Sequence, residues 1–315
     1  MKKPLIILTG PTAVGKTALS ISLAKAVNGE IISADSMQVY QKMNIGTAKI
    51  TPGEMDGIKH HLIDVLDPSL DFNIFLFKDL ALKAMDEIYA KGKVPVIAGG
   101  TGFYIQSVLY DIEFDENDAD TDFRNKMYEI AKIDDGKTLH AMLREKDPVA
   151  ADEIPYQNIK RVVRALEYYH QTGKRISEHN EEQRKKESPY NFVYFVLNDD
   201  REILYDRINR RVDKMFASGL LKEVEGLINE GYHKDLISMK GIGYKELFEY
   251  FEGNCTLEEA VCDIKKNTRH FAKRQLTWFK REKDVTMVNI PDFDRNHDKV
   301  LEYMITQIKE KGIIQ

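Results

Sequence analysis

The chain has 315 residues, of which 43% are hydrophobic and 31% are charged. This balance is typical of a soluble globular protein and excludes a collagen, a coiled coil and a globally disordered chain. The net charge of −5 means that the molecule as a whole does not attract nucleic acid. A polyanionic partner would therefore have to bind to a local basic patch.

Cysteine usage and hydropathy predict a cytoplasmic protein. The two cysteines, Cys255 and Cys262, match no disulfide framework and no zinc-ligand spacing, which fits a reducing compartment. The apolar run near the N-terminus is shorter than the roughly 7–15 residues of a secretion signal. No apolar run approaches the about 18 residues that suggest a membrane span, so no membrane association is expected.

Short apolar runs alternate with helical patterns over the first hundred residues. The runs are rich in Val and Ile and are bounded by Gly, Pro or Asp, as expected of buried parallel strands. Strands are predicted at 5–10, 30–35, 94–100 and 192–198, and helices at 16–26 and 74–89. This alternation predicts an α/β fold, a parallel sheet flanked by helices.

The alternation stops between Asp111 and about Pro189, where the periodicity is helical. This stretch opens with an acidic segment at 111–122 and becomes basic between 160 and 186. We therefore predict a helical insertion at 111–189 within a discontinuous core formed by 1–110 and 190–315.

The segment "GPTAVGKT" at 10–17 fits the phosphate-loop pattern GxxxxGK[ST] between a predicted strand and a predicted helix. Its members are Gly10, Pro11, Thr12, Ala13, Val14, Gly15, Lys16 and Thr17. Backbone N–H groups and the helix N-terminus would hold phosphate oxygens, Lys16 would add a positive charge, and the Thr17 hydroxyl suits Mg²⁺. These donors do not distinguish ATP from another phosphate compound.

Two further loops follow predicted strands. Asp35 in "SADSMQVY" could hold Mg²⁺, act as a general base or only cap the next helix, and Asp64 is a rival for the metal. The nearby polar groups of Ser36, Gln38 and Tyr40 favour contact with a substrate. The glycine-rich "AGGTGFY" would place Thr101 on the same rim, because the carboxyl ends of parallel strands meet at one edge of a sheet.

The stretch 264–283 contains eight Lys or Arg residues and one acidic residue. As a helix it would place Lys266, Arg269, Lys273 and Lys280 on one side, and Ile264, Phe271 and Trp278 on the other. We expect the apolar side to be buried and the basic side to bind a polyanion.

Eight motifs occur together in one order and cover about residues 4 to 281. They are "GPTAVGKT", "SADSMQVY", "GTAK", "HHLIDV", "GGTGFY", "RVVRALEYYHQTGK", "GIGYKE" and "RQLTWF". In this respect the chain resembles the tRNA dimethylallyltransferases. It is similar to the bacterial form, since the two cysteines and the end at residue 315 leave no C-terminal zinc finger. Gly241 stands where members often have Ala.

The resemblance implies that 10–17 binds dimethylallyl diphosphate with Mg²⁺, and that the dimethylallyl group passes to the exocyclic amine of adenosine 37 of tRNA. It implies catalytic roles for Asp35 as general base, for Arg124 near the bridging oxygen and for Thr17. The implied tRNA contacts are Asp35, Ser36, Met37, Gln38, Thr101, Arg124, Gln157, Asn158, Ile159, Lys160, Arg161, Lys273, Arg274 and Gln275. The helical insertion is expected to clamp the anticodon stem, and a monomer is expected.

Three other functions use the same residues. A kinase would bind ATP at 10–17 with Asp35 on Mg²⁺, but the chain lacks an adenine or lid motif. An isopentenyltransferase acting on free adenylate would keep the chemistry, although the insertion and the basic helix favour a polymeric acceptor. A non-catalytic RNA-binding protein is disfavoured because Lys16, Thr17 and Asp35 are all present.

Overall fold

The computed structural model describes residues 2–113 and 121–314. The chain forms two compact units, one from Met1–Leu109 and Pro189–Gln315 and the other from Tyr110–Ser188. Most of the acidic segment predicted at 111–122 lies outside the described residues.

A six-stranded parallel sheet organises the first unit. In chain order the strands are β1 (Lys3–Thr9), β2 (Gly29–Ala34), β3 (His60–His61), β4 (Val94–Gly99), β5 (Tyr190–Asn198) and β6 (Val285–Asn289). Their order across the sheet is β3-β2-β4-β1-β5-β6, and every neighbouring pair is parallel. The predicted α/β fold with a parallel sheet is confirmed.

Two edge strands were not predicted from the sequence. Strand β3 is only two residues long, so it leaves no apolar run to recognise. Strand β6 follows a highly charged stretch in a region whose pattern indicated helix throughout, and four of its five residues are only half-buried. Edge strands are paired on one side and need less apolar sequence than central ones.

Helices cover both faces of the sheet and form the second unit. In chain order the first unit begins with α1 (Lys16–Ala26), α2 (Ile74–Ala90) and α3 (Gly102–Leu109). The second unit contains α4 (Thr121–Ile133), α5 (Lys137–Lys146), α6 (Pro148–Glu153), α7 (Ile159–Thr172) and α8 (Ile176–Lys185). The first unit resumes with α9 (Arg201–Ala217), α10 (Leu220–Asn229), α11 (Tyr244–Phe251), α12 (Leu257–Phe279) and α13 (His297–Glu310). Within residues 2–113 and 121–314, none of these helices combines the length and hydropathy needed to cross a membrane.

The centre of the sheet explains why the first apolar run was recognisable. Leu5, Ile6, Ile7 and Leu8 in β1 have no exposed surface, so successive side chains are buried on opposite faces of the sheet. The core on one of these faces includes buried side chains of α1 and α13. A strand buried on both faces reads as a continuous apolar run, whereas a half-buried strand alternates.

The sheet register brings three loops to one level. Thr9 of β1 pairs with Gly99 of β4, and Gly99 pairs in turn with Ala34 of β2. The residues that follow these three positions open the phosphate loop, the Asp35 loop and the glycine-rich loop. The three loops therefore start side by side at the carboxyl edge of the sheet, where α/β proteins bind ligands.

Helix α12 corrects the prediction for the basic segment. It starts with a capping box in which Thr256 and Glu259 bond to each other's backbone N–H groups, and it ends at Phe279. Its buried face contains Ala260, Ile264, Ala272, Gln275 and Phe279. Phe271 and Trp278 remain 36% and 38% exposed, so the prediction that both aromatic rings are buried was wrong. On the wheel they point to the same side as Ile264, but Trp278 packs only edge-on against Phe103 and Phe271 lies beside Arg274, so neither ring is covered.

The second unit has its own core. Leu139 and Leu143 of α5 pack against Val162, Val163 and Leu166 of α7, and all five are buried. The two helices show the apolar spacing of three to four residues that turns one face inward.

Glu30 is a buried carboxylate at the start of β2, at the edge of the sheet away from the three loops. It accepts hydrogen bonds from His61 Nε2 at 2.9 Å, from Lys91 Nζ at 3.0 Å and from Lys93 Nζ at 3.0 Å. Burial alone would raise the pKa of Glu30, but the bonds from His61 and the two lysines outweigh it and lower the pKa from 4.5 to about 2. We expect this carboxylate to stabilise the fold by roughly 3 kcal/mol at neutral pH.

This stabilisation should disappear in acid. The pKa of Glu30 is lower in the folded than in the unfolded chain. Its contribution to the free energy of unfolding is therefore complete above pH about 4.5 and is lost as the pH falls towards about 2. Denaturant unfolding of the parent and of Glu30→Gln should show a large difference in free energy of unfolding at pH 7 that shrinks below pH ~4.5. An equal difference at both pH values would contradict this role, and Glu302→Gln on the surface of α13 is the control.

Candidate active site

The phosphate loop has the backbone of an anion-binding loop. Gly10 has φ 145° and Gly15 has φ 102°, values in the region that favours glycine. A Cβ at position 10 would lie 2.6 Å from the carbonyl oxygen of Leu197, so only glycine fits there. Ala13 has φ 66°, a conformation that a small side chain tolerates best. The loop is thus shaped around its backbone N–H groups.

Lys16 lies half-buried inside this loop. Its Nζ donates hydrogen bonds to the carbonyl oxygens of Gly10 at 2.9 Å and Pro11 at 2.8 Å. Burial, together with the positive charge of Arg211, lowers the pKa of Lys16 from 10.5 to about 7, although the negative charge of Asp35 works in the opposite direction. An amine with this pKa gains strongly from an anionic ligand.

Arg211 is a site residue that the sequence did not reveal. It lies on α9, 194 positions after the end of the loop, and its Nη1 donates to Thr12 Oγ1 at 3.4 Å. Burial lowers its pKa, while the charge of Asp35 raises it. In the sequence, Arg210 and Arg211 look like an ordinary charged helix face, and only the fold brings one of them to the loop.

Asp35 caps its own loop and keeps one oxygen for another partner. Its Oδ1 accepts hydrogen bonds from the backbone N–H groups of Met37 at 2.8 Å and Gln38 at 3.2 Å. Among the described residues both bonds end on Oδ1, so Oδ2 remains available. In the described stretch between Asp35 and β3 no helix forms, so the predicted helix cap was wrong; the carboxylate instead caps a turn, which does not exclude a chemical role. Asp64, the rival for the metal, forms an ion pair with buried Lys49.

Neighbouring motifs hold the residues that follow Asp35. Gln38 Nε2 donates to the carbonyl oxygens of Thr47 and Ala48 at 3.3 Å each, and both belong to the "GTAK" segment. A Cβ at Gly241 would come within 2.5 Å of Met37 Cε, so the missing side chain there makes room for Met37. Ser36, Met37 and Gln38 are half-buried. Tyr40 has no exposed surface and its hydroxyl accepts from the Phe72 N–H, so the predicted substrate contact by Tyr40 was wrong.

The glycine-rich loop bonds directly to the residue before Asp35 and is joined to the phosphate loop through Gln275. Thr101 N–H donates to the carbonyl oxygen of Ala34 at 3.2 Å, directly before Asp35. Gln275 of α12 is 6% exposed; its Oε1 accepts from Thr12 N–H at 2.9 Å and its Nε2 donates to the Gly100 carbonyl at 3.1 Å. Gln275 was predicted to contact tRNA, and both of its polar atoms bond within the protein.

The comparisons with known proteins agree on one family. A family model described as IPP transferase matches residues 38–282. The chain is 58% identical over 313 residues to the tRNA dimethylallyltransferase of Lachnoclostridium phytofermentans, covering 99% of this chain and 100% of that one. The chain belongs to the IPP transferase family.

Solved structures of similar proteins align with most or all of this IPP transferase chain. A tRNA isopentenylpyrophosphate transferase from Bacillus halodurans is similar with a TM-score of 0.73 at 44% identity, covering 99% of this chain and 98% of that one. A eukaryotic dimethylallyltransferase described as acting on tRNA has a TM-score of 0.78 at 31% identity; the match covers 91% of this chain and 74% of that one. The phosphate loop and Asp35 precede residues 38–282, but these similarities over the whole chain include them.

The outer face of α12 in this IPP transferase carries exposed cations beside exposed rings. His270, Lys273, Arg274, Thr277, Trp278 and Arg281 line a shallow groove of about 420 Å³. The Arg274 guanidinium lies 5.8 Å from the Phe271 ring centroid, within cation–π range. Cations beside open aromatic faces suit a single-stranded nucleic acid, whose phosphates and bases they bind.

In the second unit, Arg124 on α4 has a protein partner. Its Nε and Nη2 donate to the two carboxylate oxygens of Glu167 at 2.7 and 2.9 Å, and Arg164 Nη1 adds a bond of 2.9 Å. Glu167 is fully buried, so these bonds anchor α4 to α7. Around the start of α7, the side chains of Gln157, Asn158, Lys160 and Arg161 are exposed and Ile159 is half-buried.

A metal in this IPP transferase would depend on few protein ligands. In the part of the chain that the structure describes, His, Cys, Asp and Glu form no group of three or more that could hold an ion. Thr17 is exposed in the first turn of α1, beside the phosphate loop. One hydroxyl fits Mg²⁺, because this ion keeps several waters and binds mainly through substrate phosphates.

Proposed function

We propose that the chain transfers the dimethylallyl group of dimethylallyl diphosphate to the exocyclic amine of adenosine 37 of tRNA and releases diphosphate. The observation that carries this proposal is the meeting of the phosphate loop, Asp35 and Thr101 at one sheet edge, in a chain whose relatives are named tRNA dimethylallyltransferase. An anion site and a carboxylate side by side are what alkylation of an amine by an allylic diphosphate requires.

The cations would stabilise the leaving group. As the allylic carbon–oxygen bond breaks, the diphosphate gains negative charge. Lys16, the loop N–H groups and Arg211 surround the place where that charge develops, in a half-buried setting where electrostatic interactions are stronger than in water. Mg²⁺ held by Thr17 and the diphosphate would add Lewis-acid stabilisation.

Asp35 would take the proton. The exocyclic amine of adenine is a poor nucleophile because its lone pair is delocalised into the ring. In the proposed step the amine nitrogen bonds to the allylic carbon, the carbon–oxygen bond breaks, and the amine proton moves to Oδ2 of Asp35. The bonds from Met37 and Gln38 to Oδ1 fix the carboxylate in place for this transfer.

The tRNA would be held by several parts of the chain. The target base must leave its stack to enter the site, and Ser36, Met37, Gln38 and Thr101 are proposed to line its path. Lys273 and Arg274 would bind phosphates from α12. In the helical unit, Arg124 and the exposed residues of 157–161 are proposed to contact the anticodon stem-loop. We also propose a cytoplasmic monomer; both cysteines are free thiols, as a reducing compartment requires.

Neutralising a cation on α12 should weaken tRNA binding in a salt-dependent way. For Lys273→Ala or Arg274→Ala, the slope of log affinity against log salt should flatten by about 0.7–0.9 for each phosphate that the variant leaves without a cation. The affinity for dimethylallyl diphosphate, measured without RNA, should stay unchanged. Equal salt slopes for variant and parent would count against this role, and Lys309→Ala on the surface of α13 is the matched control.

Thermal protection by ligands tests which compound the phosphate loop binds. A ligand that binds the folded chain raises its melting temperature with concentration. With Mg²⁺ present, dimethylallyl diphosphate should raise the melting temperature at lower concentrations than ATP does. Preferential protection by ATP would overturn the proposal in favour of a kinase.

A further inference from the structure

Gln275 is the side chain that joins the phosphate loop to the glycine-rich loop. Oε1 holds the N–H of Thr12, and Nε2 holds the carbonyl oxygen of Gly100. A Cβ on Gly100 would overlap Nε2, so the glycine at this position leaves the space that the amide fills. The amide is buried, and a buried amide with both ends bonded fixes two loops relative to each other.

The peptide group that Gln275 binds is the one that Lys16 binds. The Pro11–Thr12 peptide receives a hydrogen bond from Lys16 Nζ on its carbonyl oxygen at 2.8 Å and gives one to Gln275 on its N–H at 2.9 Å. Hydrogen bonds on both ends of one peptide polarise each other. The chain of bonds therefore runs from Lys16 through the peptide and Gln275 to Gly100.

An anion in the loop disturbs the first bond of this chain. Lys16 has three N–H donors, and two are used on the carbonyl oxygens of Gly10 and Pro11. Diphosphate oxygens attract the ammonium away from these carbonyls, because a charged acceptor binds it more strongly than a neutral one. The Pro11–Thr12 peptide is then held mainly through Gln275.

The helix that carries Gln275, α12, also carries the cations proposed to bind RNA. Gln275 follows Lys273 and Arg274, which are exposed on the outer face of α12. Trp278, one turn further on, packs edge-on against Phe103, which belongs to the glycine-rich motif and lies in the first turn of α3; the ring centroids are 6.2 Å apart. One helix thus carries exposed cations outside and the loop-bridging amide inside.

We propose that Gln275 is a positioning residue that couples RNA binding on α12 to diphosphate binding in the loop 10–17. The inference rests on the proposed function for the identity of both ligands. Both polar atoms of the Gln275 amide bond within the protein, so Gln275 acts by setting the Pro11–Thr12 peptide and the Gly100 carbonyl for both ligands. By linkage, RNA tightens diphosphate binding by the same factor by which diphosphate tightens RNA binding.

The test compares the parent with Gln275→Met, which keeps the length and burial of the side chain and removes both hydrogen bonds. The affinity for inorganic diphosphate with Mg²⁺ is measured by calorimetry, with and without a saturating anticodon stem-loop. The parent should show a ratio of affinities in the range of about 5–150 that is typical of coupled sites. In Gln275→Met the ratio should fall close to one, while each ligand alone still binds.

A second readout uses Trp278, which is the one tryptophan in the sequence. Diphosphate alone should change its fluorescence in the parent and leave it unchanged in Gln275→Met. Gln307→Met, on the surface of α13, is the matched control and should behave as the parent does. If Gln275→Met does not fold, Gln275→Glu replaces it, since it keeps the acceptor for Thr12 and removes the donor to Gly100.

The outcomes separate the inference from the proposed function. Parent-like coupling and fluorescence in the variant would overturn the role of Gln275 alone. A parent that binds both ligands without coupling would overturn it as well. A parent that binds neither diphosphate nor the stem-loop would overturn the proposed function itself.

Discussion

Asp35→Asn should lower kcat for transfer to RNA by about 10²–10⁴-fold while leaving the fold intact. The amide oxygen of Asn can still accept from the N–H groups of Met37 and Gln38, so the capping role of position 35 survives. What the variant lacks is a group able to take the amine proton. Steady-state kinetics with the melting temperature as a parallel readout would show a loss of rate without a comparable loss of stability.

Asp35→Ala is the partner variant that separates the two roles. It removes the base and the cap together, so it should lose activity to the same degree and lose some stability as well. Parent-like kcat in Asp35→Asn would contradict general-base catalysis and leave position 35 with its capping role only.

Diphosphate affinity should fall as the pH rises above about 7, the pKa of Lys16 in the free protein. Burial disfavours the charged amine, and a bound diphosphate favours it, so the pKa rises on binding and a proton is taken up. Between the two pKa values the affinity should decrease by up to tenfold per pH unit. Calorimetry with dimethylallyl diphosphate across this range measures the effect.

Lys16→Arg is the control for this pH dependence. Its guanidinium stays charged throughout, so the profile of the variant contains the ionisation of the ligand but not that of residue 16. The difference between the two pH profiles of affinity gives the contribution of Lys16 ionisation alone. Parallel profiles above pH ~7 would contradict a lowered pKa for Lys16.

The fold could be predicted wherever burial left a continuous pattern. Strand β1 is buried on both faces and therefore appears in the sequence as a continuous apolar run. The predicted helix 16–26 has the same bounds as the observed α1, Lys16–Ala26. Strands β3 and β6 were missed because edge strands need little apolar sequence. The face of α12 was misjudged because a helical wheel gives directions but not which neighbour arrives to cover them.

The candidate site was predictable to the extent that its residues follow strands. The phosphate loop, Asp35 and Thr101 could be placed together because parallel strands end at one edge, and the register of Thr9, Gly99 and Ala34 shows this arrangement. Arg211 and the bridging role of Gln275 depend on how α9 and α12 pack against that edge. No local pattern encodes such packing, so Arg211 and the bridging bonds of Gln275 became visible only in the structure.

Transfer of labelled dimethylallyl from its diphosphate to an anticodon stem-loop tests the central claim most directly. The purified chain, Mg²⁺ and the labelled diphosphate are combined with two stem-loops that differ only at position 37, one with adenosine and one with a purine that lacks the exocyclic amine. The account predicts label in the first RNA and none in the second. Absence of label from both, with the chain folded, would contradict it.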